Sequence, residues 1–173
     1  MPRSLPFWTR KLHRWGAVFV AVPFLLILVT GMLLQFKKDA AWIQPPTMRG
    51  AAETPSVSFE TILAAAASVA EANIHGWEDV DRLDVRPGRG IVKVQALSGV
   101  EVQVDTATGE VLQSMVRRSD LIESLHDGSW FHERAQLWVL FPVALVLVSL
   151  WATGVYLWLL PGITRRRKAR TRD

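Results

Sequence analysis

An uncharged stretch of 24 residues, Leu137 to Leu160 (LWVLFPVALVLVSLWATGVYLWLL), constrains this chain more than any other feature. About 20 apolar residues of helix cross the ~30 Å hydrocarbon core of a bilayer. A soluble domain of this size rarely buries a helix that is apolar on every side for so long. The stretch therefore reads as a membrane span, with LHDGSWFHERAQ before it and Pro161 and the basic run RRRKARTR after it.

A second run, Trp15 to Phe36, has the same character (WGAVFVAVPFLLILVTGMLLQF). A cleaved secretory signal has an apolar core of about 7–15 residues with a small-x-small site close behind. This run is longer, and LLQFKKDAAW offers no convincing site, so it reads as an uncleaved anchor. Trp8, Trp15, Trp130 and Trp138 stand where interfacial aromatics gather at the ends of spans.

Charge orients the pair. Residues 1–14 carry Arg3, Arg10, Lys11 and Arg14 with no acid, and residues 161–173 carry six bases against Asp173. Residues 37–135 carry ten Lys or Arg against fifteen Asp or Glu, a net −5, within an overall net charge of +4. The positive-inside rule then expects both termini in the cytoplasm and the acidic middle outside, with Lys37 and Lys38 weakening the bias without reversing it. A nucleic-acid binder would instead concentrate its positive charge on a folded domain, so no nucleic-acid partner is expected. With no cysteine, disulfides, thiolate metal sites, iron–sulfur clusters and covalently attached haem are excluded.

The middle alternates in ways that define a small domain. Residues 37–57 are rich in Pro, Ala and Thr and read as a linker. Ser58 suits an N-cap for FETILAAAASVAEAN, whose apolar face recurs at helical spacing. Leu83–Arg86 is extended, and IVKVQAL, VEVQVD and EVLQSM follow, separated by PGRG, Ser98-Gly99 and TATG. Period-two runs joined by short Gly-containing turns predict an antiparallel meander. Ile91, Val92 or Val94, Val100, Val102, Val104 and Val111 are the expected inner face. One helix on three or four strands makes a compact α+β unit.

Candidate site residues are few. The two spans share a Trp fifteen residues before Thr-Gly: Trp15 before Thr30-Gly31, and Trp138 before Thr153-Gly154. These small residues suit close helix packing, with a cofactor slot beside them left open. The histidines are His13, His75, His126 and His132. His13 and His132 fall at opposite ends of the spans, roughly 30 Å apart, too far to share one iron. His126 and His132 would point about 240° apart on a continuous helix, so only a break at Gly128 could bring them together. The ordinary readings are lipid headgroup contact for His13, capping or surface hydrogen bonds for His126 and His132, and a helix-terminal turn for His75. The acidic run EDVDRLD lacks calcium-loop spacing and reads as a solvated edge interleaved with Arg82 and Arg86. No Ser-His-Asp, HExxH or phosphate-loop motif is present.

The motifs then gain a context. VQVDTATGEVL resembles the last hairpin of a PepSY domain, with Asp105 and Gly109 at its turn. RKLHRWGAVFVAVPFLLILVTGMLLQF resembles the first PepSY-associated transmembrane helix, with Leu-His-Arg-Trp at its start and Thr-Gly at its end. LHDGSWFHERAQLWVLFPVALVLVSLWATGVYLWLLP resembles the second. The resemblance implies a membrane α+β protein: a two-helix transmembrane hairpin with an inserted extracytoplasmic PepSY-like domain, one helix on an antiparallel three- to four-stranded sheet. The segments would be a cytoplasmic N-terminus at 1–14, spans at 15–36 and 137–160, a linker at 37–57, the PepSY-like domain at 58–118, an amphipathic connector at 119–136 and a cytoplasmic tail at 161–173.

By the same resemblance, the chain would sit in a bacterial cytoplasmic membrane and present an interaction domain, with Asp105 and Gly109 in the contact, to a membrane or extracytoplasmic protein, with no catalytic machinery of its own. The alternatives are a b-type haem electron-transfer subunit of an iron- or siderophore-reducing system, and a structural subunit of a membrane complex. Family members tied to iron–siderophore reduction usually have more spans, so their haem chemistry does not carry over directly. In the haem reading His13, His126 and His132 are the candidate ligands, with the second ligand drawn from a homodimer partner or another subunit.

Overall fold

The computed structural model describes residues 5–170, with side chains described for residues 6–162; the basic side chains of the tail and the first four residues lie outside the described residues. The chain divides into two compact units, residues 32–123 and residues 1–31 with 124–173.

The second of these units holds two long helices, α1 (Leu5–Gln35) and α4 (Phe141–Arg170). Pro6–Gln35 in α1, and Gln136–Gly162 running from the turn before α4 into that helix, are long and apolar enough to cross a membrane, and about nine-tenths of each apolar window stays uncovered by protein. α1 begins well before Trp15, so most of the basic N-terminal segment is helical. α4 continues through Pro161, where the sequence suggested a stop. A proline disturbs only the turn before it, and the Arg, Lys and Ala beyond it are good helix formers. Ahead of α4, Gln136–Leu140 forms a wide π-type turn, which makes room for the ring of Pro142 that an ordinary helical turn would oppose. The connector is not one helix: α3 (Ser119–Asp127) ends at Gly128, whose φ of +79° is open to glycine at little cost.

The other unit is a four-stranded antiparallel meander in the order β1 (Val80–Arg86), β2 (Ile91–Ala96), β3 (Val100–Asp105), β4 (Val111–Val116). β1 begins three residues earlier than its extended sequence suggested. Packed on one sheet face is α2 (Phe59–Ala67), capped by Ser58 Oγ accepting from Thr61 N at 3.2 Å. α2 is shorter than its alanine content suggested. Ser68 Oγ turns back to Ala65 O (2.7 Å), and the β-branched Val69 follows, which favours a break. The chain makes one tight turn over Ala70–Ala72 and leaves through Asn73, at φ 52°. Asparagine, not His75, takes the left-handed position.

Alternation sorts β2 and β3 into two faces. Val92, Val94, Val102 and Val104 meet Ile62 and Ala66 of α2 in the apolar core. Ile91 is buried but lies on the opposite face, and Val111, on the edge strand, is 37% exposed. The larger departure is that the opposite face is buried too, although it carries Lys93, Gln95, Glu101, Gln103 and Asp105. Part of the segment expected to be a linker lies over it. Ile43 is buried and its carbonyl accepts from Ser119 N (2.8 Å). Met48 N donates to Gln103 Oε1 (2.8 Å), Gln103 Nε2 donates to Pro46 O (2.8 Å), and Ala51 N donates to Asp105 Oδ2 (2.7 Å). Gly50 and Gly90 let this strap approach the sheet, since a Cβ on either would strike a carbonyl across the gap.

Beneath the strap, Glu101, fully buried, accepts from Lys93 Nζ (2.9 Å), Gln103 Nε2 (2.8 Å) and Arg117 Nη1 (2.9 Å). Arg117 also donates to Asp120 (2.8 Å). The acidic edge is paired as its interleaving suggested: Arg82 meets Asp81 and Asp120, each at 2.9 Å, and Arg86 meets Asp84 at 2.7 Å.

Candidate functional site

The two Leu-His motifs and the two Thr-Gly motifs meet crosswise in the helical unit. His13, in the first part of α1, places Nδ1 2.8 Å from Thr153 Oγ1 of α4. His126, near the end of α3, places Nδ1 3.0 Å from Thr30 Oγ1 and 3.1 Å from Ile27 O of α1. Each glycine beside the threonine keeps room for the imidazole. A Cβ at Gly31 would lie 3.2 Å from His126 Cε1, and one at Gly154 would lie 3.5 Å from His13 Cε1. Between the two clasps Gly16 sits under Leu150 and Val146, and Val20 and Val143 are buried.

Hydrogen-bond bookkeeping assigns the tautomer of His126. Thr30 Oγ1 donates its single proton back to Leu26 O (2.6 Å), the usual pattern of threonine in an apolar helix. Ile27 O can only accept, so His126 Nδ1 carries the proton it shares with Thr30 and Ile27. His126 is thereby held through Nδ1–H, and in the neutral ring its Nε2 keeps its lone pair. At the other clasp Thr153 Oγ1 lies 2.7 Å from Ser149 O and 2.8 Å from His13 Nδ1, and its one proton can serve either, so the hydrogen bond there admits both tautomers of His13.

The two histidines are far apart. From His13 to Thr30 along α1 the helical rise amounts to about 25 Å, and His126 stands beside Thr30. His132 joins neither clasp. It is exposed in the turn after Gly128, where its Nδ1 accepts from Arg134 N at 3.0 Å. The break at Gly128 occurs, but no hydrogen bond links His126 to His132 among the described residues. Asp127 organises that turn, accepting from Ser129 N (2.9 Å) and Gln136 Nε2 (2.8 Å). His75 is exposed, and its backbone N donates to Asp79 Oδ2 (2.8 Å).

Asp105 and Gly109 serve the turn. Asp105 is buried, and its carboxylate accepts from Ala51 N (2.7 Å), Ala107 N (2.7 Å) and Thr108 N (3.2 Å). Burial pushes its pKa up, but the three N–H donors outweigh that and hold the carboxyl below its ordinary range. Gly109, at φ +80°, donates to Asp105 O (2.9 Å).

Sequence spacing singled out the Thr-Gly half of each clasp, and the Leu-His motifs of the resembled family the histidine half, without pairing them. The pairing requires knowing that α1 and α4 run antiparallel with a fixed offset, which no local pattern encodes. Gly16 carried no signal, since a lone glycine in a span has many readings.

The family model for the PepSY-associated TM region matches residues 10–173, a range that holds both clasps and the whole sheet unit. No curated protein and no solved structure matches the chain. The chain belongs to the PepSY-associated TM family, with two helices fit to span a membrane flanking a four-stranded antiparallel sheet domain.

Proposed function

We propose that the chain is a membrane-anchored accessory subunit of a bacterial cytoplasmic membrane, holding its sheet domain outside the cell's cytoplasm for contact with a partner protein. Flanking bases and the acidic middle support that orientation. One observation carries the binding role. The sheet domain covers both faces of its central strands, yet leaves Phe59 (59% exposed), Trp77 and Val85 in the open, with Phe59 and Trp77 packed edge to face at 6.3 Å. Apolar clusters left exposed on a water-facing domain mark interaction sites. The reading gives the chain no reaction of its own.

Two measurements test it. The chain has no cysteine, so a single cysteine at Ser98 should react with a membrane-impermeant maleimide in intact cells, and one at Lys11 should not. A photo-crosslinking residue at Trp77 should give a discrete adduct. Smears or silence from that position, with the protein present and folded, would end the partner reading.

A second reading is favoured by the tautomer of His126. Metal-bound histidines commonly donate one ring N–H to a protein acceptor and ligate through the other nitrogen. His126 is held in that way, so its Nε2 would be available to hold a b-type haem, and His13 would be the other candidate. The group, when bound, would supply one-electron chemistry. The chain's residues would fix the imidazoles and keep His126 Nδ1 protonated. Because about 25 Å separates the two, a bis-histidine centre needs a histidine from a second copy or another subunit. Detergent-purified protein would show a Soret band lost in His126→Ala or His13→Ala; a colourless, folded preparation removes this reading.

A further inference from the structure

The apolar runs of α1 and α4 are staggered. His13 meets Thr153, and a Cβ on Gly16 would meet Leu150, so each step forward along α1 is a step back along α4. On that register Arg14 comes level with Ala152, Lys11 with Val155 and Arg10 with Tyr156. α4 stays uncharged from there past Leu160, with Val155, Trp158 and Leu159 exposed. Eight residues of helix rise about 12 Å and four about 6 Å, so Arg14 and Arg10 stand that far inside the end of the apolar run of α4.

These bases form a face of their own. Phe7, Arg10, Lys11 and Arg14 recur at three- and four-residue spacing and line a cleft of about 470 Å³. All three bases are exposed. The stripe lies about 140° round α1 from His13 and Gly16, so it points away from the seam with α4. Lys11 Nζ stands 5.5 Å from the centre of the Trp8 ring, which packs edge to face on Phe7 at 5.9 Å.

The chain supplies no counter-ion there. Neither residues 1–38 nor residues 134–172 contain an Asp or Glu. Among the described residues the acids of the helical unit are Asp127 and Glu133, in the connector around Gly128, at the His126 end. An ionised side chain at hydrocarbon depth is costly, and arginine and lysine relieve that cost by reaching for the interface and drawing headgroups and water inward. The anion available along such a helix is a lipid phosphate, whose oxygens the guanidinium fork meets in pairs.

We infer that Arg10, Lys11 and Arg14 form a binding site for an anionic phospholipid, its headgroup phosphate held between the three bases and its apolar part against Phe7. A zwitterionic lipid suits the site poorly, because its own ammonium group answers the phosphate and repels the bases.

The test uses the full chain in mixed micelles holding equal amounts of phosphatidylglycerol and phosphatidylcholine, with bound lipids counted by native mass spectrometry. Wild type should retain phosphatidylglycerol in preference. A base near an anionic surface is worth roughly fivefold in affinity, so Arg14→Gln should cut the preference by about that factor. Arg10→Gln, Lys11→Gln and Arg14→Gln together should cut it about a hundredfold. Removing the same charge from the tail, by Arg165→Gln, Arg166→Gln and Arg167→Gln, should leave most of the preference in place.

A thermal midpoint in phosphatidylcholine alone that matches wild type shows that a variant folds, and Arg14→Gln decides the matter if the triple variant does not. No preference in wild type, or equal losses from the two triple variants, overturns the site and leaves only a general attraction of basic ends for acidic lipid. Excess inorganic phosphate, matched in ionic strength with chloride, should leave the lipid bound. If it strips the lipid away, the cleft recognises free phosphate and the lipid assignment falls.

Discussion

The sheet unit and the helical unit solve opposite problems. In the sheet unit, water drives assembly: the valines of β2 and β3 close against α2, and even the polar face is covered and its charges paired internally. In the helical unit the spans are apolar all round, and lipid tails are as good a solvent for leucine as another helix is. Burial cannot choose a register there. The choice falls to directional contacts, His13 with Thr153 and His126 with Thr30, and to the glycines that admit them. Polar groups are thus a burden to be neutralised in one unit and the source of specificity in the other.

The largest effect that could break this contrast lies under the strap. Glu101→Gln leaves Lys93 buried beside a neutral amide, and breaking a buried pair from one side costs about 3–5 kcal/mol. The sheet unit should lose most of its stability to denaturant, while the double change Lys93→Met with Glu101→Leu should cost far less, because Arg117 keeps Asp120. If Glu101→Gln melted like wild type, the pair would not be sealed as described.

Next comes acid. Asp105 has its folded pKa below the ordinary value near 3.8. The folded state therefore binds fewer protons there than the unfolded one, so the carboxylate's contribution is complete above that value. It is withdrawn as the pH falls through the lower, folded pKa. Asp105→Asn should flatten this acid limb in equilibrium unfolding and weaken the domain at neutral pH by about 1.5–3 kcal/mol, the range for hydrogen bonds to a charged group. An acid limb of unchanged steepness would show that the three backbone donors do not govern that carboxyl.

The same contrast explains what could be read from the sequence. The spans, the Ser58 cap, the meander and its valine face are local patterns, because each is fixed by a period or a turn. The strap was not legible. Pro45, Pro46 and the alanines after Met48 look like a linker, and the contacts that hold that segment down, to the side chains of Gln103 and Asp105 and to the carbonyl of Arg89, are non-local in sequence. Nor was it legible that Lys93 and Glu101 are buried, since alternation alone puts such residues in water. At the candidate site Thr30, Gly31, Thr153 and Gly154 could be marked from their spacing, and His13 and His126 from the family's Leu-His positions, but their crosswise pairing depends on how two antiparallel helices slide past each other.

The smallest effects test the helical unit on its own terms. Hydrogen bonds between membrane helices average about 0.6 kcal/mol and reach about 1.7. Thr30 is buried (5% exposed), and its partner His126 is also tied to Ile27 O, so Thr30→Val should approach the upper figure. Thr153→Val, at the more exposed clasp, should fall nearer the mean. Unfolding of the hairpin in mixed micelles would rank them. The glycines refine the ranking further. An alanine methyl at Gly31 would sit 3.2 Å from His126 Cε1, tight enough to push the ring off Thr30, whereas at Gly154 the 3.5 Å separation from His13 is ordinary contact. Gly31→Ala should therefore imitate Thr30→Val in part, and Gly154→Ala should be close to silent. Equal penalties at the two glycines would mean that the imidazoles do not set the fit, and that the spans are held by something other than these clasps.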